Sequence, residues 1–142
     1  LDLADEELTP WAIDELRSVE ASIGRLPEGY ENFVLTVGTG DLLPHLLPGK
    51  GILVDTLNSS FSVANRSSGF DSWIPKEYAP VVSAGGGGAL AIRLDDGAVY
   101  FADYDHAVSL GLEEPSEEIM SRYADSWEEV VESMPSWPPL PD

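Results

Sequence analysis

The 142-residue chain contains no cysteine. Disulfides, thiolate metal sites and cysteine nucleophiles are excluded together. That absence fits a reducing compartment, and a cytoplasmic location is expected. Histidine is nearly absent too, with only His45 and His106, which leaves little choice of general base or imidazole ligand. No apolar run approaches the length needed to span a bilayer, and no signal-type segment is expected before the first helix. Basic residues are scarce: seven Lys and Arg stand against 26 Asp and Glu, for a formal charge of −19. A field of that sign repels phosphate backbones and argues against direct nucleic-acid binding.

The charge is unevenly placed. Residues 1–41 carry ten acids and two bases, residues 42–94 three acids and four bases, and residues 95–142 thirteen acids and one base. The middle is close to neutral and the flanks hold the negative field. Such a field favours solubility and also steers a basic protein partner toward the surface that bears it. Hydrophobic residues make up 43% of the chain, so a packed core is expected, and the length suits one domain.

The most informative stretch is Ala84–His106. Gly85 to Gly88 precede the apolar run Ala89 to Leu94, and Asp96-Gly97 then separates it from Ala98 to Phe101. An Asp-Gly pair between such runs predicts a β-hairpin. A two-residue turn at Asp96-Gly97 pairs Leu94 with Val99 and Ile92 with Phe101, and period two puts these four on one face. Arg93 then lies opposite Tyr100 on the other face, at cation–π range.

Upstream, Thr9-Pro10 predicts a helix start, with Thr9 as the cap. Ile13, Leu16, Val19 and Ile23 continue at helical spacing to a stop near Gly24. Pro27 opens a second helix whose apolar stripe is Tyr30, Phe33, Val34 and Val37, ended by Gly38 and Gly40. Between 41 and 80, Pro44 and Pro48 break any helix, and Gly51 to Asp55 reads as a short strand. Phe61 to Val63 is a further candidate strand, and Trp73 to Val82 an extended or briefly helical approach to the hairpin. Downstream, Leu110 to Leu112 form an exit loop, and Ser116 caps a short helix reaching about Tyr123. Asp125 or Ser126 opens a last helix at capping-box spacing from Glu128 or Glu129, with Trp127, Val130, Val131 and Met134 inward. Pro135 to Pro141 form a proline-rich extended tail.

Candidate chemistry is thin. A phosphate loop needs Gly-Lys-Ser/Thr before a helix, whereas Gly85 to Gly88 run into a strand. Backbone geometry or close approach of another segment accounts for these glycines. Asp103, Asp105 and His106 resemble a fragment of a metal site, with both aspartates on one strand face and the histidine pointing away. Oxygen-ligand cations need more donors in a tighter loop. No Gly-x-Ser-x-Gly elbow accompanies the serines. No catalytic residue, metal or cofactor is expected.

The order of motifs resembles the SUKH superfamily in its Smi/Knr branch. The carriers are Leu26-Pro27-Glu28-Gly29-Tyr30-Glu31-Asn32-Phe33-Val34 with Gly38-Thr39-Gly40, then Ala84 to Gly88 with Leu90-Ala91-Ile92. They continue in Gly97-Ala98-Val99-Tyr100-Phe101, Asp105-His106 and Asp125 to Val130, spanning roughly residues 13–134. Where such domains commonly carry Asn-Gly-Gly after the second helix, this chain has Gly38-Thr39-Gly40. The resemblance implies an α+β domain, with helices packed on a mostly antiparallel sheet. It also implies a non-enzymatic protein-binding role. In bacteria such domains are often immunity proteins that neutralise a cognate toxin, frequently a nuclease; in fungi they are regulatory interaction proteins.

The reading is therefore one SUKH-like domain with a core over about 10–134, two helices before the sheet and a tail over 135–142. Its expected partner is a cognate basic protein, bound and occluded by Asp103, Asp105, Glu113, Glu114, Glu117 and Glu118. The alternative is a regulatory or scaffolding adaptor that uses Trp137 in the tail as a docking element.

Overall fold

The computed structural model describes residues 7–46, 53–58, 73–83 and 87–133. Among these residues seven strands lie in sequence order across one antiparallel sheet: β1 (Glu7–Thr9), β2 (Thr39–Leu46), β3 (Leu53–Leu57), β4 (Tyr78–Ser83), β5 (Gly88–Arg93), β6 (Val99–Asp103) and β7 (Met120–Ala124). The helices are α1 (Ile13–Ile23), α2 (Glu28–Thr36), α3 (Tyr104–Leu110) and α4 (Trp127–Ser133), with a 3-10 turn at Glu117–Ile119. The class is α+β, as expected.

The β5–β6 pair sits where both faces of the sheet are covered. On one face Leu90, Ile92, Val99 and Phe101 join Leu57 and Val82 under Leu16, Leu26, Tyr30, Val34, Trp127 and Val130 of the α1, α2 and α4 layer. On the other, Ala89, Ala91 and Ala102 lie beneath Ile74, Tyr78, Tyr104, Ala107 and Ile119. Large side chains on one face fill the space under three helices. Methyl side chains on the other let α3 and the 3-10 turn come close to the backbone.

The hairpin register differs from expectation by two residues. Ile92 pairs with Val99 and Leu90 with Phe101. Because the shift is even, every side chain keeps its expected face. Arg93 and Ala98 close a four-residue loop, in which the Gly97 amide donates to the Arg93 carbonyl at 2.8 Å and Gly97 takes φ of 76°. Leu94 lies in that loop, and its amide donates to the Glu77 carbonyl at 2.9 Å, which carries the β4–β5 pairing one residue further. The Asp96 carboxylate holds the far side by accepting from the Ala98 amide at 3.0 Å. Tyr100 therefore faces Ala91 rather than Arg93, although the Arg93 guanidinium still reaches its phenol and pairs with Asp95 at 3.0 Å.

Other boundaries move for identifiable reasons. Thr9 belongs to β1 and does not cap α1, which starts at Ile13 after Ala12. Buried Trp11 accounts for the delay: its indole donates to Thr39 Oγ1 at 2.8 Å and its amide to the Val34 carbonyl at 2.8 Å. Ile13, expected inward, is half exposed. A strand therefore precedes the two helices, and Pro27 precedes α2 as its cap residue. Gly38 closes α2 as expected, at φ of 95° with its amide donating to the Phe33 carbonyl at 3.1 Å, and the chain then passes straight into β2, where Gly40 lies. Pro44 is accommodated there because the register breaks between Asp41 and His45, the kind of irregularity that tolerates proline in a sheet. The strand expected at 51–55 is Leu53–Leu57, and Trp73 to Val82 resolves into a turn followed by β4. Where β4 bulges at Pro80 to Val82, Asn58 bridges the gap through its amide to the Val81 carbonyl at 2.8 Å and its side chain to the Pro80 carbonyl at 2.7 Å. The candidate strand at Phe61 to Val63, Met134 and the tail lie outside the described residues.

At the C-terminal helix the cap is as expected in kind. Ser126 Oγ accepts from the Glu129 amide at 3.2 Å, and the Glu129 carboxylate returns to the Asp125 amide at 2.9 Å. Trp127 is 2% exposed and meets the Tyr30 and Phe33 rings edge-on at 5.1 and 5.2 Å. Replacing it with alanine is expected to cost about 3–5 kcal/mol in urea unfolding, the range for a buried aromatic lost to a cavity. A cost under about 1 kcal/mol would show that α4 does not hold the helical layer.

The α1–α2 junction carries a charge conflict. A hydrogen bond from its own protonated form to Glu20 is the main cause holding the Glu31 carboxyl above the usual range, helped by burial and by the Glu20 charge; Arg25 opposes it. Glu20 is itself fixed by accepting from the Leu26 amide at 2.8 Å. A carboxyl raised in the folded state adds stability while protonated, and that contribution is lost as pH rises through its folded pKa. Glu31→Gln supplies a permanent neutral donor. It is expected to melt above the parent at pH 7, with the advantage shrinking as pH falls toward about 4. A lower melting temperature at pH 7 would mean that the 3.6 Å Arg25–Glu31 pair dominates.

Candidate partner-binding face

The six acids expected to meet a partner all fall between the end of β6 and the 3-10 turn, over the alanine face of the sheet. The expected continuation of β6 to His106 does not occur: Tyr104 opens α3, with Asp103 as its cap accepting from the His106 amide at 3.1 Å. Asp103 and Asp105 thus do not share a strand face, which removes the geometry of the metal-like reading. Among the described residues, no three His, Asp or Glu side chains converge as a metal site. Leu110 to Leu112 is a helix end and not a strand exit, closed by left-handed Gly111 and by the Leu112 amide donating to the Ala107 carbonyl at 3.1 Å. Ser116 caps as expected, accepting from the Glu118 amide at 3.1 Å, but the cap leads into a single 3-10 turn and then β7.

Sequence reasoning missed the contacts that fix this segment. The Trp73 indole donates to the Leu112 carbonyl at 3.0 Å, and the Ser116 amide donates to the Trp73 carbonyl at 3.1 Å. The same ring meets Tyr104 edge-on at 5.7 Å. Trp73 therefore ties both ends of the 112–116 loop to the start of α3. Tyr78 adds a second tether: its hydroxyl donates to Glu117 Oε2 at 2.7 Å while its ring meets Tyr100 at 5.2 Å. The only sequence signal for either tether was an aromatic residue in a stretch of unclear pattern.

Between these tethers Asp105, Glu113, Glu114, Glu117 and Glu118 are exposed, and Asp103 is half-buried in its capping role. Among the described residues the ion pairs are Arg25–Glu31, Arg93–Asp95 and Arg122–Asp125, so none engages these six carboxylates. A shallow groove of about 590 Å³ runs along Gly111 to Ser116. A second, of about 450 Å³, lies at the hairpin end beside Ile23, Lys76 and Leu94. Gly87 and Gly88 line neither. Gly88 instead meets the close approach anticipated for the glycine run, since a Cβ there would stand 2.5 Å from the Ala102 carbonyl oxygen and 2.7 Å from the Phe101 ring.

The chain is thus a three-layer α+β domain with an acidic surface over its thinner layer. The family model for the SMI1 / KNR4 family (SUKH-1) matches residues 10–133, and the chain belongs to that family. A search of curated proteins returns no match.

Burial is the main cause that raises the Tyr78 hydroxyl above the usual tyrosine range, and the bond to Glu117 adds to it; Tyr30 is raised by burial. Both keep their protons in the folded state where the unfolded chain has lost them. Stability is therefore unaffected by these groups below about pH 10 and falls above it, by up to about 1.4 kcal/mol per pH unit for each. Tyr78→Phe is expected to cost about 1 kcal/mol at neutral pH and to flatten the alkaline decline. An unchanged alkaline slope in urea titrations from pH 9 to 11 (roughly the range of tyrosine ionisation) would mean that Tyr78 ionises freely.

Proposed function

We propose that this domain is a non-enzymatic immunity protein that binds a cognate basic toxin and occludes its working surface. Membership of the SMI1 / KNR4 (SUKH-1) family supports a protein-binding role. The observation that carries the reading is the row of exposed, unbridged carboxylates on a loop tied down by Trp73 and Tyr78. A nuclease is the natural partner class, since a surface built to hold phosphates is cationic and complements a chain of charge −19. Asp105, Glu113, Glu114, Glu117 and Glu118 form the contact set, with Asp103 holding α3 in place.

Neutralisation by this route needs no chemistry in the immunity protein. A rigid acidic face competes with the toxin's substrate for the same cations, and the bulk of the domain excludes water and substrate from the covered surface. Among the described residues no helix is long and apolar enough to cross a membrane.

The test is direct binding of the protein encoded by the adjacent gene, in a catalytically inactive form, across roughly 0.05–0.5 M salt. Affinity is expected to fall about tenfold or more over that range, mainly through association rate. Joint replacement of Glu113, Glu114, Glu117 and Glu118 by glutamine should remove most of the salt dependence. No binding, or binding indifferent to both salt and those replacements, overturns the proposal.

A further inference from the structure

We infer that the outer edge of β7 is a docking edge, which takes an extended, Lys- or Arg-bearing segment of a protein partner as an added strand. It rests on the protein-binding reading above, but on backbone groups rather than on the carboxylates named there. β7 ends the sheet, and among the described residues no strand lies beyond it. Its five residues are half-buried or exposed throughout, whereas β5 buries five of its six. The direction of its backbone groups follows from the hairpin. The Arg93 amide donates to the Ala98 carbonyl at 2.8 Å, so these two form a hydrogen-bonded pair. Antiparallel alternation then makes Ala91–Tyr100 and Ala89–Ala102 the bonded pairs of β5 and β6, and turns the amides and carbonyls of Val99 and Phe101 toward β7. The Leu94 amide, bonded to Glu77 on the far side of β5, agrees with that phase. Phe101 is registered with Ser121, so Ser121 bonds inward, while the Arg122 amide and carbonyl and the Met120 carbonyl point out of the sheet. The Met120 amide turns back to the Glu117 carbonyl.

Charge and chain chemistry select the occupant. Residues 117–129 hold five acids and one base, and that base, Arg122, is engaged by Asp125 Oδ1 at 2.8 and 3.1 Å. The edge therefore runs from Glu117 and Glu118 at its start to Asp125, Glu128 and Glu129 just past its end. A second copy paired antiparallel about a two-fold axis sets like charges opposite each other. Centring on Ser121 brings Glu117 onto Asp125, centring between Ser121 and Arg122 brings Glu118 onto Asp125, and centring on Arg122 opposes two guanidiniums. The chain's own residues 134–142 include Pro135, Pro138, Pro139 and Pro141, which have no amide to give a ladder. A partner strand with Lys or Arg near its ends satisfies the outward groups of Met120 and Arg122 and meets carboxylates on both sides. The register break beside Val99 leaves only the first part of β7 regular, so the added strand is short. A bulge and a charge also deter unspecific strands from a sheet edge, which makes the complementary cations a condition of pairing.

The test reads the backbone directly. In amide exchange of the isotope-labelled full chain, the Ser121 amide is expected to be protected and the Arg122 amide to exchange freely. The chain is then titrated with a short synthetic peptide of alternating valine and threonine with lysine at both ends. N-methylation along one edge of the peptide leaves its other edge able to pair and stops it from pairing with itself; methylation along both edges removes every donor. The one-edge peptide is expected to shift amides over 119–125 and to slow exchange at Arg122 at least about tenfold at saturation. Methylation along both edges should weaken binding at least about tenfold, and glutamate in place of the terminal lysines should do the same. Protection of the Arg122 amide in the free chain would mean that another segment of the chain already occupies the edge, and overturns the inference. Equal binding of the two methylated peptides, no binding of either, or shifts centred on Asp105 to Glu114 overturns it as well. Failure of the adjacent gene product to bind removes the toxin reading without touching this result. A one-edge peptide that leaves Arg122 exchange unchanged removes the docking edge even where that product binds.

Discussion

The β5–β6 pair is buried on both sides, and the rest of the molecule is built to satisfy that constraint. A strand pair with one wet face needs only one covering layer, and its other face is polar. Here the sequence is apolar on both, so two layers must form. The helical layer is thick, because Leu90, Ile92, Val99 and Phe101 present large side chains to α1, α2 and α4. The second layer is thin, because Ala89, Ala91 and Ala102 present methyl groups and leave room only for a short helix and one 3-10 turn. Gly88, on the Leu90 side of β5, has no room for a side chain, because the Ala102 carbonyl and the Phe101 ring occupy that space.

That thin layer explains why the acidic flank forms a surface at all. A seven-residue helix can bury only one stripe, and Tyr104 and Ala107 fill it. Most of the rest of α3 and of the loop after it faces water, including Asp105, Glu113 and Glu114, while Leu112 packs back on the second core. A loop so rich in carboxylates would repel itself into many conformations if nothing opposed it. Trp73 and Tyr78 oppose it with three hydrogen bonds and two edge-on ring contacts. The neutral middle of the chain thus supplies the restraint, and the charged flank supplies the field.

The legible parts of the fold were those governed by short-range pattern. Ile92, Val99 and Phe101 fell on the predicted face, and Ser116 and Ser126 capped as their positions suggested. The SUKH assignment came from motif order. The failures were decided at long range. The start of α1 turned on Trp11 reaching Thr39, 28 residues away. β1 and β2 were missed because Pro10, Gly38, Gly40 and Pro44 carry breaker signals, which pairing across the sheet and a bulge overrode. The acids of the candidate face were visible in composition. Their common placement required the turn of β6 into α3 at Asp103, a capping event that looked in sequence like the end of a strand.

Charge and rigidity act on different parts of recognition, and this face combines them. Charge alone gathers any cationic protein, quickly and with little discrimination. Discrimination needs a fixed pattern, in which wrong partners leave carboxylates facing like charge or apolar groups facing water. The tethers at Leu112, Ser116 and Glu117 hold the carboxylates of this segment in one such pattern.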